Sequence, residues 1–518
     1  MKRIRKIICF AVAAAAVGGC VYNGGEMKNG AEDRGAYAEY TDAPKGYALQ
    51  LPEENMQVDM TLGRYYTRYC GETSELVVSK EENVYDDVIY YTDHYFDRFM
   101  LSPDYREKNR IALNCHHFET AGDFNVKILS VTRTPYEGSE VLLNTYSYIY
   151  FYKDGEKNFY RLMLKTRSFE PETINRLIRS FREVPEKGTA ENTISTALQL
   201  PQMTDETAAY YQRLCNSDQI AWGIFVPENE GEERIAGLEQ RLDYRFDISM
   251  KYVHIPDEET TPEALEAVHR AGKVCELTLQ TATLWNNNLD RSENPNFMVI
   301  DGVLDDVIRK HAGVVRDFGH PVIVRVNNEM NTDWTSYCGI QLMEDPEIYR
   351  RVFCRLVDLF REEGAYNTIW MFNPQYMDSP PANFNNYLGY FPGGDKVQLL
   401  GITEYNRGTY RSETDGGSWR EFQEAYDGVE SLYKEYFDQW PWMIGEFGSD
   451  SHGGDKVKWI ENMFASIGKY KNIKGAVWLN WEAYDARKGA FGTVSRCYRL
   501  DETEETTEAF KQGLHRGK

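Results

Sequence analysis

The chain has 518 residues, more than one hydrophobic core ordinarily serves, so two or more folded units are expected. Its formal charge of −23 repels nucleic acid and anionic lipid and favours neutral or cationic partners. Ten Trp and 36 Tyr exceed what a core of this size requires, and flat amphipathic rings at a surface suit the faces of sugars.

Residues 1–19 read as an export signal, with basic residues at the start, an apolar run from Ile7 to Val17 and two glycines. The run is too short for a permanent span. Val17-Gly18-Gly19-Cys20 resembles the bacterial lipoprotein cleavage box. The resemblance implies a mature chain that begins at lipidated Cys20, is extracytoplasmic and is lipid-anchored to a bacterial cell membrane. Residues 20–44, polar and glycine-rich, suit a flexible tether. Apart from Cys9 and Cys20 there are seven cysteines, an odd number without paired spacing, so neither a disulfide framework nor a zinc site is expected.

Residues 45–186 alternate strand-like and helical runs and read as an α+β accessory domain. "YSYIYFYKDGEKNFYRLMLKT", 146–166, predicts a hairpin turning at Asp154-Gly155. "EPETINRLIRSFREV" has apolar residues at Ile174, Leu177, Ile178 and Phe181, a helical spacing. Cys115-His116-His117 cannot converge on one metal if it lies in a strand, where neighbours face opposite sides. Nothing in this domain looks catalytic. Residues 187–204, polar and containing Pro201, read as a linker.

From 205 to 512 strand and helix patterns alternate. Candidate strands are 220–227, 246–255, 273–282, 321–327, 368–374, 397–405, 440–446 and 473–481. Eight such units in about 300 residues is the count of a (β/α)8 TIM barrel. The strands are rich in β-branched residues and hardly alternate, as parallel strands buried on both faces do. An open doubly wound sheet is the competing architecture, but "VPENEGEE" after the first strand is not a glycine-rich phosphate turn. The expected fold class is therefore α/β, a barrel domain preceded by the smaller α+β domain.

Polar residues at the C-terminal ends of barrel strands line the active face. Glu329, in "RVNNEMNTDW", follows the fourth strand and Glu446, in "WPWMIGEFGS", ends the seventh. Those strands lie across the barrel mouth from each other. Two opposed carboxyls, one protonated and one ionised, are what glycoside hydrolysis needs.

Residues from about 220 to 485 resemble glycoside hydrolase family 26, a β-mannanase-like family in the clan of (β/α)8 retaining glycosidases. The resemblance is carried by "WGIFVP", "RVNNEMNTDW", "IWMFNPQY", "YFPGGDKVQLLGITEYN", "MIGEFGSDSHGGDKVKWI" and "GAVWLNW". It implies Glu329 as general acid/base and Glu446 as nucleophile. It also implies Tyr405 as a hydrogen-bond donor to the nucleophile, Trp334 and Trp478 as stacking platforms, and Arg325 as the residue that holds the carboxylates in register. Where the family's mannanases usually have histidine before the acid/base, this chain has Asn328, a residue that in the wider clan binds the sugar 2-hydroxyl. Mannose differs from glucose at that hydroxyl, so the departure bears on substrate.

The expected activity is a retaining endo-β-glycosidase on β-1,4-mannan-type polysaccharide. A β-1,3-1,4-glucanase, a β-xylanase and a non-catalytic polysaccharide-binding lipoprotein are the alternatives. Retention of both carboxylates favours an enzyme over a binding protein. No metal or other cofactor is expected, the partner is a poly- or oligosaccharide, and the catalytic unit is expected to be monomeric. "DFG" at 317–319 lacks the other kinase elements, and the two "GGDK" sequences lack the Ser/Thr of a phosphate loop.

Overall fold

The computed structural model describes residues 38–227, 230–283, 292–410, 417–484 and 494–516. The expected signal at 1–19, the lipidation site Cys20 and residues 20–37 of the expected tether lie outside the described residues.

Among the described residues, ten strands build the N-terminal part: β1 (Glu39–Asp42), β2 (Tyr47–Gln50), β3 (Gln57–Asp59), β4 (Tyr66–Cys70), β5 (Ser74–Glu82), β6 (Ile111–Ala121), β7 (Phe124–Arg133), β8 (Thr145–Tyr152), β9 (Asn158–Thr166) and β10 (Arg182–Glu183). β1, β2 and β10 form a small sheet, and the rest form a seven-stranded sheet in the order β3-β4-β5-β9-β8-β7-β6. β1 falls where a tether was expected. Its backbone pairs with β2 from Glu39 to Asp42, and the buried Asp42 carboxylate meets Lys45 at 3.5 Å and accepts from Thr67 Oγ1, so a polar composition here still makes ordered structure.

The predicted hairpin is β8 and β9, with Gly155 at φ 79° in its turn. Its two faces have different neighbours, as the period of two requires. Ile149, Phe151, Leu162 and Leu164 pack with Ile174, Leu177 and Ile178 of the helix Pro171–Ser180. Tyr146, Tyr148, Tyr150 and Met163 join the core shared with the barrel domain. Cys115, His116 and His117 lie on β6, where successive side chains alternate sides.

All eight expected barrel strands are present: β11 (Ala221–Phe225), β12 (Ile248–His254), β13 (Val274–Gln280), β14 (Val322–Val326), β15 (Thr368–Phe372), β16 (Leu399–Thr403), β17 (Trp442–Phe447) and β18 (Ile473–Leu479). They close in chain order, each parallel to the next, with β18 returning to β11. Alternate residues fill the inside: Phe225, Ile248, Met250, Ile323, Ile369, Met371, Leu399, Met443, Val477 and Leu479 form one cluster, with Tyr211 and Leu214 of the helix Asp205–Asn216. The intervening residues, such as Val322, Val324, Trp370 and Trp442, face the surrounding helices.

Candidate active site

Continuing the inward alternation of β14 beyond Ile323 places Arg325 inside the barrel, fully buried. On β13 the same rule places Glu276, Thr278 and Gln280 inward, on β12 Tyr252, and on β15 its next residue Asn373. A polar layer thus caps the apolar filling at the C-terminal ends of the strands, where barrel active sites form.

Glu446 enters this layer through a bulge. Ile402 of β16 pairs with Ile444, but Thr403 pairs with Glu446, so β17 carries one extra residue, Gly445. A bulge re-aims the side chain beside it. A Cβ on Gly445 would lie 2.3 Å from Asn373 Oδ1 and 2.8 Å from Arg325 Nη1, so only glycine lets these groups approach the strand. Every bond to the Glu446 carboxyl is donated to it. Oε1 receives Arg325 Nη2 at 2.7 Å, the Tyr252 hydroxyl at 2.5 Å and Asn328 Nδ2 at 3.1 Å. Oε2 receives the Tyr405 hydroxyl at 2.7 Å. Such a set fixes the orientation of the carboxyl. Burial, and then the charge of Glu446, hold both tyrosines well above their ordinary range, so they remain donors.

Arg325 is itself fixed from behind. Its Nε meets Glu276 Oε1 at 3.1 Å and donates to Thr278 Oγ1 at 2.9 Å, and its Nη1 donates to Asn373 Oδ1 at 3.1 Å. Burial pushes the Glu276 carboxyl up to about 7, against the opposing pull of Arg325.

Glu329 is placed by a strained turn. Asn327 has φ 49° and Glu329 φ 60°, both in the left-handed region that costs a non-glycine residue about 1–3 kcal/mol. Local bonds compensate: Asn327 exchanges side-chain bonds with Thr281, and the Glu329 N–H donates to Asn373 O at 2.9 Å. The Glu329 carboxyl has neutral partners. Trp334 Nε1 donates to Oε2 at 3.0 Å, and the Gln375 amide, with its nitrogen turned toward the carboxyl, donates to Oε1 at 2.9 Å. Arg407 lies over the Trp334 ring at 5.4 Å. Burial, followed by the nearby charge of Glu446, pushes Glu329 up to about 7, while Arg407, Trp334 and Arg325 oppose the shift. Two carboxyls with environments this different can divide acid and nucleophile work between them.

Asn328 lies between them. Its Nδ2 donates to Glu446, and its Oδ1 accepts from Gln280 Nε2 at 2.8 Å and Tyr337 OH at 3.1 Å. The structure thus brings together Glu329, Glu446, Arg325, Asn328, Trp334 and Tyr405. Trp334 is 42 % exposed and available to a ligand.

Trp478 does not join them, contrary to the expected stacking role. Val477 and Leu479 face the barrel interior, so Trp478 points outward, fully buried against Phe447, Trp459 and Phe510, with its indole bonded to Tyr498 O at 2.8 Å. Trp481, just past β18, is the exposed ring at that strand end. The aromatic excess, read as surface rings, is also largely interior: Tyr146, Tyr148, Tyr150, Tyr349, Tyr390 and Tyr433 are all buried. Tyr252, Gln280, Tyr337, Gln375 and Glu276 went unnoticed in the sequence. For Tyr252 and Glu276 the inward period of two was a usable signal, but for Tyr337 and Gln375, on loops, there was none.

Residues 275–427 match the sequence profile described as glycosyl hydrolase family 26, a span that contains Glu329 and Tyr405 but ends before Glu446. Endoglucanase H of Acetivibrio thermocellus is 27 % identical over 266 residues, which is 50 % of this chain and 27 % of that protein, so the chain matches about a quarter of that relative's length. Among solved structures, an endo-β-1,4-mannanase double mutant of Cellulomonas fimi is 13 % identical, covering 62 % of this chain and 77 % of its own at a TM-score of 0.47. The catalytic domain of an endo-β-1,4-mannanase from Bacillus sp. JAMB-750 is 16 % identical, covering 62 % and 93 % at a TM-score of 0.45. These are likenesses to glycosidases: the family 26 profile spans less than half of the chain, and the curated relative is named an endoglucanase.

Proposed function

We propose that the chain is a retaining endo-β-glycosidase acting on β-1,4-mannan-type polysaccharide, with Glu446 as nucleophile and Glu329 as general acid/base. The observation that carries this is the contrast between the carboxyls: one accepts a guanidinium and three neutral donors, the other is buried, accepts from the neutral Trp334 and Gln375 and is pushed up to about 7. In the first step Glu446 attacks the anomeric carbon while Glu329 gives its proton to the departing glycosidic oxygen, leaving a glycosyl ester on Glu446. Oε1 already accepts three bonds and Oε2 one, which makes Oε2 the attacking atom. In the second step Glu329, now a base, takes a proton from water as the water oxygen displaces the ester, and the β configuration is restored. Arg325, Tyr252 and Tyr405 hold the nucleophile in line, and Asn328 retains one amide hydrogen for the substrate's 2-hydroxyl.

The mannan reading rests on the resemblance of the motifs to the family's mannanases. A β-glucanase is the second reading, favoured by Asn328 in place of histidine and by the relative named an endoglucanase. Galactomannan, glucomannan, barley β-glucan and xylan assayed for new reducing ends separate them: fastest release from the mannans supports the first, release from β-glucan alone the second, and release from none overturns the glycosidase reading. Attachment to the membrane through a lipid on Cys20 is part of the same proposal and rests on the lipobox-like sequence.

A further inference from the structure

We infer that the seven-stranded N-terminal sheet is the positioning frame for the loop that carries Glu329. The inference rests on the acid/base assignment above.

Between β14 and the helix Pro346–Glu362 the chain runs through residues 327–345 without strand or helix, yet it is buried except at Asp333, Trp334 and Thr335. A buried loop must find partners for its backbone groups. The first part of the loop is held by the barrel domain, with Asn373 O accepting from the Glu329 N–H and Asn331 O and Ser336 O accepting from Asn385 and Asn294, while the partners of its last part come from the N-terminal part. Tyr105 donates its hydroxyl to Gln341 O at 2.7 Å, and Tyr148 to Met343 O at 2.6 Å.

The loop ends in Met343 and Glu344, at φ 56° and 51°, a consecutive pair of non-glycine residues in the left-handed region. Two clusters of charged and hydrogen-bonding side chains hold that turn. The Glu344 carboxyl accepts from Arg161 Nε at 2.9 Å and Nη2 at 2.7 Å, with both side chains fully buried, and burial holds it well above the usual carboxylate range against the pull of Arg161. Asp97, which bears electrostatically on Glu344, is paired with Lys127 at 2.7 Å and bonded by the Tyr150 hydroxyl at 2.8 Å. The neighbouring Asp345 meets Lys165 at 3.0 Å and the Tyr146 hydroxyl at 3.2 Å, and Glu75 ties Lys165 to Arg68, each at 2.5 Å. Asp345 also caps the helix Pro346–Glu362, accepting from Glu347 N at 3.1 Å.

Apart from Tyr105, the donors that reach the loop come from one face of β8 and β9, Tyr146 and Tyr148 on the first and Arg161 and Lys165 on the second, while Tyr150 on the same face bonds Asp97 beside Glu344. This gives the alternate tyrosines of "YSYIYFY" a use that packing alone would not demand, since phenylalanine would fill the space without reaching the loop. Residues 341–345 add to the hold that the barrel residues Asn373, Gln375 and Thr281 have on Glu329 and Asn327, because the loop folds back on itself. Gly339 N donates to Met330 O at 3.2 Å, Gln341 Nε2 to Thr335 O at 3.0 Å, and Trp334 Nε1 to the Glu329 carboxyl. None of these N-terminal groups contacts Glu446.

The test uses Tyr148→Phe and Arg161→Met in the full chain, with Arg182→Ala, whose guanidinium pairs with Glu39 on the small sheet, as control. Each is assayed on the polysaccharide cleaved best and on a dinitrophenyl β-glycoside, whose leaving group needs no proton. Loss of acid positioning should cut kcat/KM on the polysaccharide by about ten- to a hundredfold and spare the aryl glycoside far more. Rescue in Arg161→Lys relative to Arg161→Met would match a retained charge. Equal loss on both substrates, or none on the polysaccharide, overturns the inference. Amide hydrogen exchange gives a readout that does not need the activity: Tyr148→Phe should speed exchange in 329–345 while barrel strands stay protected, and unchanged exchange there equally overturns it.

Discussion

Asn328 donates its side-chain amide to Glu446 Oε1 at 3.1 Å, so the residue beside one catalytic candidate in the chain is bonded to the other across the barrel. Its Oδ1 is engaged by Gln280 and Tyr337, which fixes the direction of the amide. Asn328→Ala removes the bond to Glu446 and takes away the acceptor that the buried Tyr337 hydroxyl and one Gln280 amide hydrogen use. kcat and kcat/KM are expected to fall together by roughly two orders of magnitude, at ~1.4 kcal/mol per tenfold. Asn328→His should keep measurable turnover and change the ratio of mannan to glucan hydrolysis. Initial rates on both polymers check this, and wild-type behaviour of Asn328→Ala would reduce Asn328 to a structural neighbour.

The pH dependence follows from Glu329. Its carboxyl must be protonated to act as acid, and its value of about 7 makes the active fraction fall as pH rises through neutrality. The basic limb of kcat/KM on a polysaccharide should therefore lie near 7. The Trp334 N–H favours the ionised form and so holds this value down; Trp334→Phe should move the limb upward. A downward move, or a limb unaltered by the substitution, would show that another group sets it.

Gly445 is where sterics and chemistry meet. Gly445→Ala would push its methyl into Asn373 and Arg325, the groups that support Glu446. Overpacking of this kind costs about 1–3 kcal/mol. The folded protein should survive with a lowered Tm, while kcat drops far more than thermal stability would explain. Thermal melts beside kinetics on one preparation separate the two effects.

Removing either carboxylate should have unequal consequences. Glu446→Ala should abolish turnover of every substrate, whereas Glu329→Ala should retain turnover of a dinitrophenyl glycoside. Parallel loss on the activated substrate would reverse or remove the assignment.

Cys20→Ser should shift the protein from the membrane fraction to the soluble extracytoplasmic fraction, measured by immunoblot of fractionated cells. Unchanged membrane association would rule out a lipid on Cys20 as the anchor.

The barrel was legible because each buried parallel strand is a short β-branched run, and Glu329 and Glu446 stood out as single acids at the ends of two of them. Trp478 was misplaced because a motif places a residue on a strand without saying which side it faces. The alternation of Val477, Trp478 and Leu479 decides that, and it turns the ring outward. Strand β1 was hidden by a polar composition that pairing with β2 overrides. The connection from Tyr148 to Met343 and from Arg161 to Glu344 joins residues nearly two hundred positions apart, which no local pattern records.

The most direct test of the two-carboxylate account is the configuration of the first product. Proton NMR of the hydrolysis mixture, recorded before mutarotation, should show the β-anomer accumulating first, because a glycosyl ester on Glu446 inverts the anomeric centre twice. An α-anomer at early time would mean a single displacement by water, and would contradict Glu446 as the nucleophile.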